Sequence, residues 1–279
     1  MAEEQQARTY IMAASEAEHA RLVAIARRFA DQVREMCARA GVGTGARVVD
    51  VGSGPLGALL ELAEIVGPSG TVVGVDSSAD AVATARTTLA REGLDRVRLV
   101  HGDVNVLEPA AIVGDGPFDA AHLRFVLVHQ ADPAATLRRV AALLRPGGRV
   151  LVFDLVEDAR YPRYDPPVPA SERAWELLYA AAHRRGAAGD VARRLPALCA
   201  EAGLRVLDAR GTFRLLTPAQ DSLGAARATL LGARASIVGA GLATDAELDA
   251  IAEELTAASG GAYRSVHGPL GAQVIAEVP

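Results

Sequence analysis

The sequence predicts an α/β protein built on a doubly wound, mostly parallel sheet, and three observations carry that prediction. First, the apolar run Arg47-Val48-Val49-Asp50-Val51 meets a glycine turn, Gly52-Ser53-Gly54-Pro55-Leu56-Gly57, and then the helical pattern Ala58-Leu59-Leu60-Glu61-Leu62-Ala63. A strand, a tight loop and a helix start in that order bring backbone close to a nucleotide-like ligand. Second, Thr71-Val72-Val73-Gly74-Val75 reads as a short buried strand ending in Asp76, 19 residues past Gly57. A Rossmann-like fold places there the acid that accepts hydrogen bonds from ribose hydroxyls. Third, strands and helices alternate from residue 47 to residue 154 with the lengths of βαβ units.

Residues 15–40 read as one long helix. Ser15 and Glu18 have capping-box spacing, and Leu22, Ile25, Ala26, Phe29, Val33, Met36 and Ala40 share one face. After the strand Arg47–Val51 comes a helix from about Gly57 to Ile65, stopped by Gly67-Pro68-Ser69-Gly70. Strand Thr71–Asp76 leads through Ser77 and Ser78 into helix Asp80–Arg91, which Gly93 ends. Strand Val97–His101 is followed by Gly102-Asp103-Val104 at its carboxyl end, where open α/β sheets bind ligands. Phe118–Leu123 is the fourth strand, and Asp132-Pro133 caps a helix that runs to Leu144. Arg145-Pro146-Gly147-Gly148 turns the chain into a fifth strand, Arg149–Asp154.

The second half is less regular. A proline-rich loop, Tyr161–Pro169, precedes a helix from Ser171 to about His183. Helix Val191–Ala202 stops at Gly203, before strand Leu204–Ala209. Thr217-Pro218 and Thr244-Asp245-Ala246-Glu247 each cap a further helix, and Gln273–Val278 is a last strand. No internal repeat or low-complexity tract interrupts this order. The expectation is one domain over residues 1–279, with an N-terminal helical cover at 1–45, a cofactor-binding core at 46–155, and lid helices and last strands at 156–279.

Asp50, Asp76 and the glycine turn admit a nicotinamide dinucleotide or S-adenosylmethionine. Asp50, two residues before the first glycine, favours the second: a carboxylate suits a cationic amino-acid tail and is awkward beside a pyrophosphate.

Composition narrows the function classes. The net charge of −5 over 279 residues offers no global attraction to nucleic acid or an anionic membrane. All 29 basic residues are arginine, which excludes a Schiff-base or catalytic lysine and, with abundant Ala, Gly and Pro, reads as a GC-rich bacterial coding bias. Cys37 and Cys199 sit in separate apolar helical patterns and read as buried free thiols, consistent with a cytoplasmic location. No signal peptide is visible at Met1-Ala2-Glu3-Glu4, and the apolar stretch Leu223–Leu242 is interrupted by Arg227 and Arg234, so no membrane span is expected. The six histidines show no metal-ligand spacing, and no metal is expected.

The segments Val48-Val49-Asp50-Val51-Gly52-Ser53-Gly54, Val75-Asp76, Gly102-Asp103, Phe118-Asp119 and Leu144-Arg145-Pro146-Gly147-Gly148 occur in the order seen in class I S-adenosylmethionine-dependent methyltransferases. The chain resembles most the bacterial small-molecule branch related to ubiquinone and menaquinone C-methyltransferases. Tyr10 with Glu18-x-x-Arg21-Leu22, Arg124-Phe125-Val126-Leu127, Asp190–Pro196 and Ala202-Gly203-Leu204 extend that resemblance over most of the chain. It implies a seven-stranded sheet whose last strand is antiparallel, with a helical lid. It also implies that Gly52, Ser53 and Gly54 line the methionyl and ribose portion of S-adenosyl-L-methionine, with Asp50 near the amino group. Asp76, followed by Ser77, would hold the ribose hydroxyls, and Asp103 with Val104 the adenine. The third glycine, Gly57, stands one residue later than in the common family pattern.

Methyl transfer from a sulfonium is an in-line displacement that needs alignment and exclusion of water, not a metal or a covalent nucleophile. His122 and Arg124 lie at the end of the fourth strand, and His129 follows within the next turn. Each histidine reads as a hydrogen-bonded structural residue or as a base; His129 is the first candidate base and His122 the second. Arg124 either holds the cofactor carboxylate or stabilises the loop. Asp154 either binds substrate or caps the following loop, and Tyr161, Tyr164, Trp175 and Tyr179 either pack the lid or stack on an aromatic acceptor. The expected function is methylation of a small-molecule acceptor, such as a bacterial secondary metabolite or a quinone-like compound. Two alternatives stand beside it: an S-adenosylmethionine-binding enzyme that catalyses an elimination or rearrangement, and a nicotinamide-dependent oxidoreductase. The third is disfavoured by Asp50 and by the absence of a Tyr-x-x-x-Lys pair. A homodimer is left open.

Overall fold

Strands that are apolar on both faces must be covered on both faces, and the centre of this protein is built that way. The computed structural model describes residues 16–157, 163–213, 215–216, 222–259, 265–268 and 270–279. Tyr10, Ser15, Tyr161 and the Thr217-Pro218 cap lie outside the described residues.

The chain opens with α1 (Glu16–Arg28) and α2 (Ala30–Ala40), then β1 (Arg47–Val51), α3 (Leu59–Val66), β2 (Thr71–Asp76), α4 (Ala79–Arg91), β3 (Arg98–His101), α5 (Pro109–Val113) and β4 (Phe118–Arg124). A 3-10 turn (Leu127–His129), α6 (Pro133–Ala141) and β5 (Leu144–Leu155) complete the alternating part. Beyond it come β6 (Arg163–Asp165), α7 (Pro169–Arg184), a second 3-10 turn (Val191–Arg194), α8 (Leu195–Glu201), β7 (Arg205–Thr212) and β8 (Leu215–Leu216). Helices α9 (Ser222–Gly232), α10 (Arg234–Gly239) and α11 (Asp245–Ser259) lead to β9 (Ser265–His267) and β10 (Gly271–Glu277).

Seven strands form one sheet in the order β3-β2-β1-β4-β5-β10-β7. The pairs among β1 to β5 are parallel, whereas β10 runs antiparallel to both β5 and β7. The Rossmann-like, mostly parallel sheet with a reversed late strand is therefore present as expected. Alternate residues separate two cores. Val49, Val51, Val73, Val75, Ala121, Leu123, Val150 and Val152 pack with Leu137, Val140 and Leu198 on one face. Val48, Val72, Ala120, Leu151 and Phe153 pack with Val33, Met36, Leu59 and Leu62 on the other.

Topology places the remaining helices. Leu155 pairs with Gly271, and Gly271 pairs with Thr212, so β5 ends, β7 ends and β10 begins at the carboxyl edge of the sheet. Residues 156–190 and 213–270 thus leave from that edge. Their helices α7, α9, α10 and α11 share a third core around Ala174, Leu177, Leu223, Leu230, Ile237 and Leu248. Strands β6, β9 and β8 form a small second sheet beside them.

Three expectations about elements need correction. The single helix over 15–40 breaks at Phe29, whose ring docks on Phe125 and Phe153 with centroids 5.2 and 5.4 Å away. Only α1 is then available as cover, because α2 packs on the sheet through Val33, Met36 and Cys37. The expected helix 191–202 splits into a 3-10 turn and α8, since Pro196 in its interior would lack a donor and clash with the preceding turn; it stands instead in the first turn of α8. The expected loop 161–169 contains β6, which is held by pairing with β9 about 100 residues away and carries no local signal long enough to read. The capping box at Thr244 and Glu247 is present: the Thr244 backbone N–H and hydroxyl donate to Glu247 Oε2 at 2.7 and 2.9 Å, and the Glu247 N–H donates to Thr244 Oγ1 at 3.2 Å.

Candidate functional site

The loop after β1 is shaped by three glycines with positive φ, Gly52 (66°), Gly54 (54°) and Gly57 (56°). They serve different ends. A Cβ on Gly52 would lie 2.6 Å from Val126 Cγ2, so Gly52 admits the loop after β4 rather than a ligand. A Cβ on Gly57 would lie 2.3 Å from Asp50 Oδ2 and 2.5 Å from the Ser53 carbonyl. Gly54 alone faces open space.

Asp50 lies beneath this loop, 2 % exposed. Its Oδ2 accepts the Ala58 N–H at 2.8 Å at the start of α3, and its Oδ1 meets His122 Nδ1 at 2.8 Å. Strand register explains the pair: residues 50 and 122 are partners across β1 and β4 and point to the same face. His122 is equally buried, and the Ser53 hydroxyl is turned inward beside Gly74 with no hydrogen-bond partner among the described residues. Asp50, Ser53 and His122 are thus held under the loop rather than in the open part of the site. Arg124, two residues on, donates from Nη2 to the Gly57 carbonyl at 2.8 Å and stands over the Phe29 ring. Its Nη1 is buried and has no hydrogen-bond partner among the described residues. Burial lowers the guanidinium's pKa, with Asp50 and Glu61 opposing.

Above the loop, the carboxyl ends of β1 to β4 flank a narrow cleft that is partly open to solvent. Gly52, Asp76, Ser77, Asp103, Val104 and Gln130 line it. Asp76 Oδ2 accepts the Gly54 N–H at 2.7 Å and Oδ1 accepts the Ser78 N–H at 2.8 Å. Burial pushes its carboxyl above the ordinary range, against the pull of those two donors. Asp103 is also buried; its Oδ1 accepts the Asn105 N–H at 2.8 Å and Nδ2 at 3.0 Å. Its Oδ2 makes no hydrogen bond among the described residues.

A second polar region lies past β4. His129 ends the 3-10 turn, and its imidazole pKa is lowered to about 4 by burial first and by the Arg21 charge second, with Glu18 opposing. Glu18 and Arg21 belong to α1 and form a two-pronged ion pair at 2.7 Å, so the N-terminal helix brings a paired charge to the histidine. Glu18 is 6 % exposed. Asp154, at the end of β5, is fully buried with both oxygens lacking a well-aligned partner. Burial pushes its carboxyl well above the ordinary range, while the Leu127 and Val128 amides pull the other way. Trp175 and Tyr179 pack on each other in α7 at 5.8 Å, and Tyr164 is buried in the third core.

Sequence reasoning passed over Asn105, Gln130 and Thr136, which adjoin Asp103. No spacing rule links them, because they sit on different segments. The only signal was polarity in apolar surroundings: Gln130 and Thr136 are buried polar residues next to β4 and in α6.

Comparison with known proteins agrees with this architecture. The model of a methyltransferase-domain family matches residues 43–186. An arsenite methyltransferase of Aquipseudomonas alcaligenes is 35 % identical over 120 residues, 42 % of this chain and 34 % of the relative. The ubiquinone/menaquinone biosynthesis C-methyltransferase UbiE of Hahella chejuensis is 32 % identical over 117 residues, 42 % of this chain and 45 % of the relative. The chain spans between about a third and about half of the length of such curated relatives. Among solved structures, the [4+2]-cyclase SpnF shares the fold with a TM-score of 0.53 and 20 % identity over 90 % of this chain and 81 % of that one. A family model that covers more than half of the sequence, on a sheet of this order, assigns the chain to the methyltransferase-domain family.

Proposed function

We propose that this protein transfers a methyl group from S-adenosyl-L-methionine to a small-molecule acceptor, of the secondary-metabolite or quinone-like kind. The observation that carries the reading is the pair of carboxylates, Asp76 and Asp103, at the ends of adjacent strands in one cleft beside the Gly52–Gly54 loop. The residues fit the cofactor. Asp76, fixed by two N–H donors, is oriented to accept from vicinal ribose hydroxyls. The partner-free Oδ2 of Asp103 suits an exocyclic amine, with Val104 beside it. Arg124 Nη1 is a buried donor without a partner, and an amino-acid carboxylate would satisfy it. Asp50 and His122 then act as positioning residues that hold the loop and the start of α3, and Ser53 contributes backbone.

When bound, the cofactor supplies an electrophilic methyl carbon on a sulfonium. The chain's own work is to align the acceptor and exclude water. Helix α1 and the 156–190 and 213–270 segments, which rise from the carboxyl edge, supply that cover. His129 is neutral at physiological pH, because its pKa lies near 4, and is the candidate base for an acceptor hydroxyl's proton. Glu18 and Arg21 set the field around that imidazole.

Calorimetry with S-adenosylmethionine, S-adenosylhomocysteine and NAD tests the cofactor: binding of the first two and not the third is expected. Binding of NAD alone would overturn the reading. Formation of S-adenosylhomocysteine on addition of a phenolic or quinol acceptor separates methyl transfer from a rearrangement that only uses the sulfonium charge.

A further inference from the structure

We infer that Asn105, Gln130 and Thr136 form a brace that locks the orientation of Asp103 and thereby selects an amino-bearing base, so that they act as positioning residues for cofactor specificity. This rests on the assignment of Asp103 to the base in the proposed function. The brace joins the two walls of the cleft: Asn105 follows β3, Gln130 follows the turn after β4, and Thr136 lies in α6.

Donor and acceptor chemistry favours one arrangement of these side chains. Asn105 Nδ2 stands 3.0 Å from Asp103 Oδ1 and 2.9 Å from Gln130 Oε1, so its two hydrogens serve two oxygens. Its Oδ1 then faces Thr136 Oγ1 at 2.9 Å, the shortest of that hydroxyl's three contacts, ahead of the Asp132 carbonyl at 3.2 Å and Gln130 Oε1 at 3.3 Å. Gln130 presents Oε1 to Asn105, and its Nε2 accordingly faces the Val126 carbonyl at 3.3 Å. If the Asn105 amide were flipped, its carbonyl would face two acceptor oxygens, Asp103 Oδ1 and Gln130 Oε1. Asp103 Oδ1 therefore receives two N–H groups from Asn105, one from backbone and one from side chain. The remaining oxygen is presented as an acceptor. A base carrying an amine at that edge is favoured, and one carrying a carbonyl there is repelled.

The arrangement makes a prediction that simple packing does not. In Asp103→Asn, the two donors of Asn105 still demand an oxygen on their side. The new amide must turn its NH₂ toward the ligand, and the preference should invert. In Asn105→Ala the demand is gone, and residue 103 is free to turn.

The test is calorimetric binding of two probes, S-adenosylhomocysteine and its C6-deaminated analogue S-inosylhomocysteine. The unaltered protein should bind the adenosyl probe about ten- to a hundredfold more tightly, the range for one charge-assisted hydrogen bond. Asp103→Asn should prefer the inosyl probe by at least about threefold. Asn105→Ala combined with Asp103→Asn should bind the two within about twofold of each other. Thr136→Val, which keeps the shape and removes the hydroxyl, should narrow the unaltered protein's preference. Three results would overturn the brace: no inversion in Asp103→Asn, inversion that survives Asn105→Ala, or a Thr136→Val change that weakens both probes by the same factor. If the unaltered protein binds neither probe, the cofactor assignment itself fails, and that outcome is distinct from all three.

Discussion

Replacing His129 by glutamine should flatten part of the protein's response to acid. The imidazole's pKa falls from 6.5 to about 4 in the folded chain because it is buried beside Arg21, with Glu18 only partly compensating. A base whose folded pKa is depressed stays neutral in the native state while its unfolded counterpart takes up a proton. Stability is therefore unaffected above pH 6.5, begins to fall as the pH drops through the unfolded value, and has lost its full amount below the folded value. A shift of this size corresponds to about 3 kcal/mol in total at ~1.4 kcal/mol per pKa unit, of which about 2 kcal/mol is lost between pH 7 and pH 5. Asp154 and Asp76 have raised pKa values and titrate with the opposite sign, so the informative quantity is the difference between the two proteins. Urea unfolding of the unaltered chain and of His129→Gln, at half-unit steps from pH 7.5 to 4.5, supplies it. The variant should gain about 2 kcal/mol relative to the parent on acidification to pH 5, equivalent to about 3 °C in Tm. Parallel curves would refute the reasoning and place the imidazole in solvent, away from α1. The same protonation argument fixes an expectation for catalysis: a base with pKa near 4 leaves no acid limb from His129 above about pH 5 in the rate profile.

Other substitutions probe the remaining parts. Asp76→Ala should weaken S-adenosylmethionine binding by about 1.5–3 kcal/mol, roughly ten- to 150-fold; unchanged affinity in a variant with native circular dichroism would remove the carboxylate from the ribose. Gly57→Ala places a Cβ against Asp50 Oδ2 at a φ of 56°, and should cost about 2–3 kcal/mol in chemical denaturation; a loss under about 0.5 kcal/mol would mean that the loop relaxes freely. Asp154→Asn should be increasingly stabilising relative to the parent as pH rises above the unfolded carboxyl range, because it removes a buried group that resists ionisation; a pH-independent difference would show that Asp154 ionises normally. Phe29→Ala removes a ring from the Phe29–Phe125–Phe153 cluster and should cost about 2–4 kcal/mol, with hydrogen exchange rising first in α1.

What was legible in the sequence was what periodicity and turn chemistry express locally. The strands Arg47–Val51 and Thr71–Asp76 show as short apolar runs because both faces are buried, and their observed ends match the expected ones. The glycine turn shows because three residues need positive φ within six positions. Asp76 shows by its distance from that turn, and Asp103 by its place at the carboxyl end of the third strand. The partners of Asp50 were not, because His122 reaches it through strand register across 72 residues. The brace was silent for the same reason: Asn105 and Gln130 are 25 residues apart, and each alone reads as an ordinary loop amide. The break at Phe29 interrupts a continuous helical stripe at the residue whose ring packs on Phe125 and Phe153. Strands of two or three residues, such as β6 and β8, are set by their partners and have too few positions for a period.

The carboxyl-edge anchoring of both inserted segments has a consequence for how this protein can diversify. Thr212 and Gly271 are paired neighbours in the sheet, and the Glu157 N–H donates to Asp190 Oδ1 at 3.3 Å, so the ends of each insertion are already closed before its interior is specified. Closure entropy grows only logarithmically with length, at about 0.6 kcal/mol per doubling. Segments of other lengths and sequences could therefore be grafted between the same anchor strands at little expense to the sheet. Heredity can rewrite the helical cover while the sheet and its glycine loop are inherited intact.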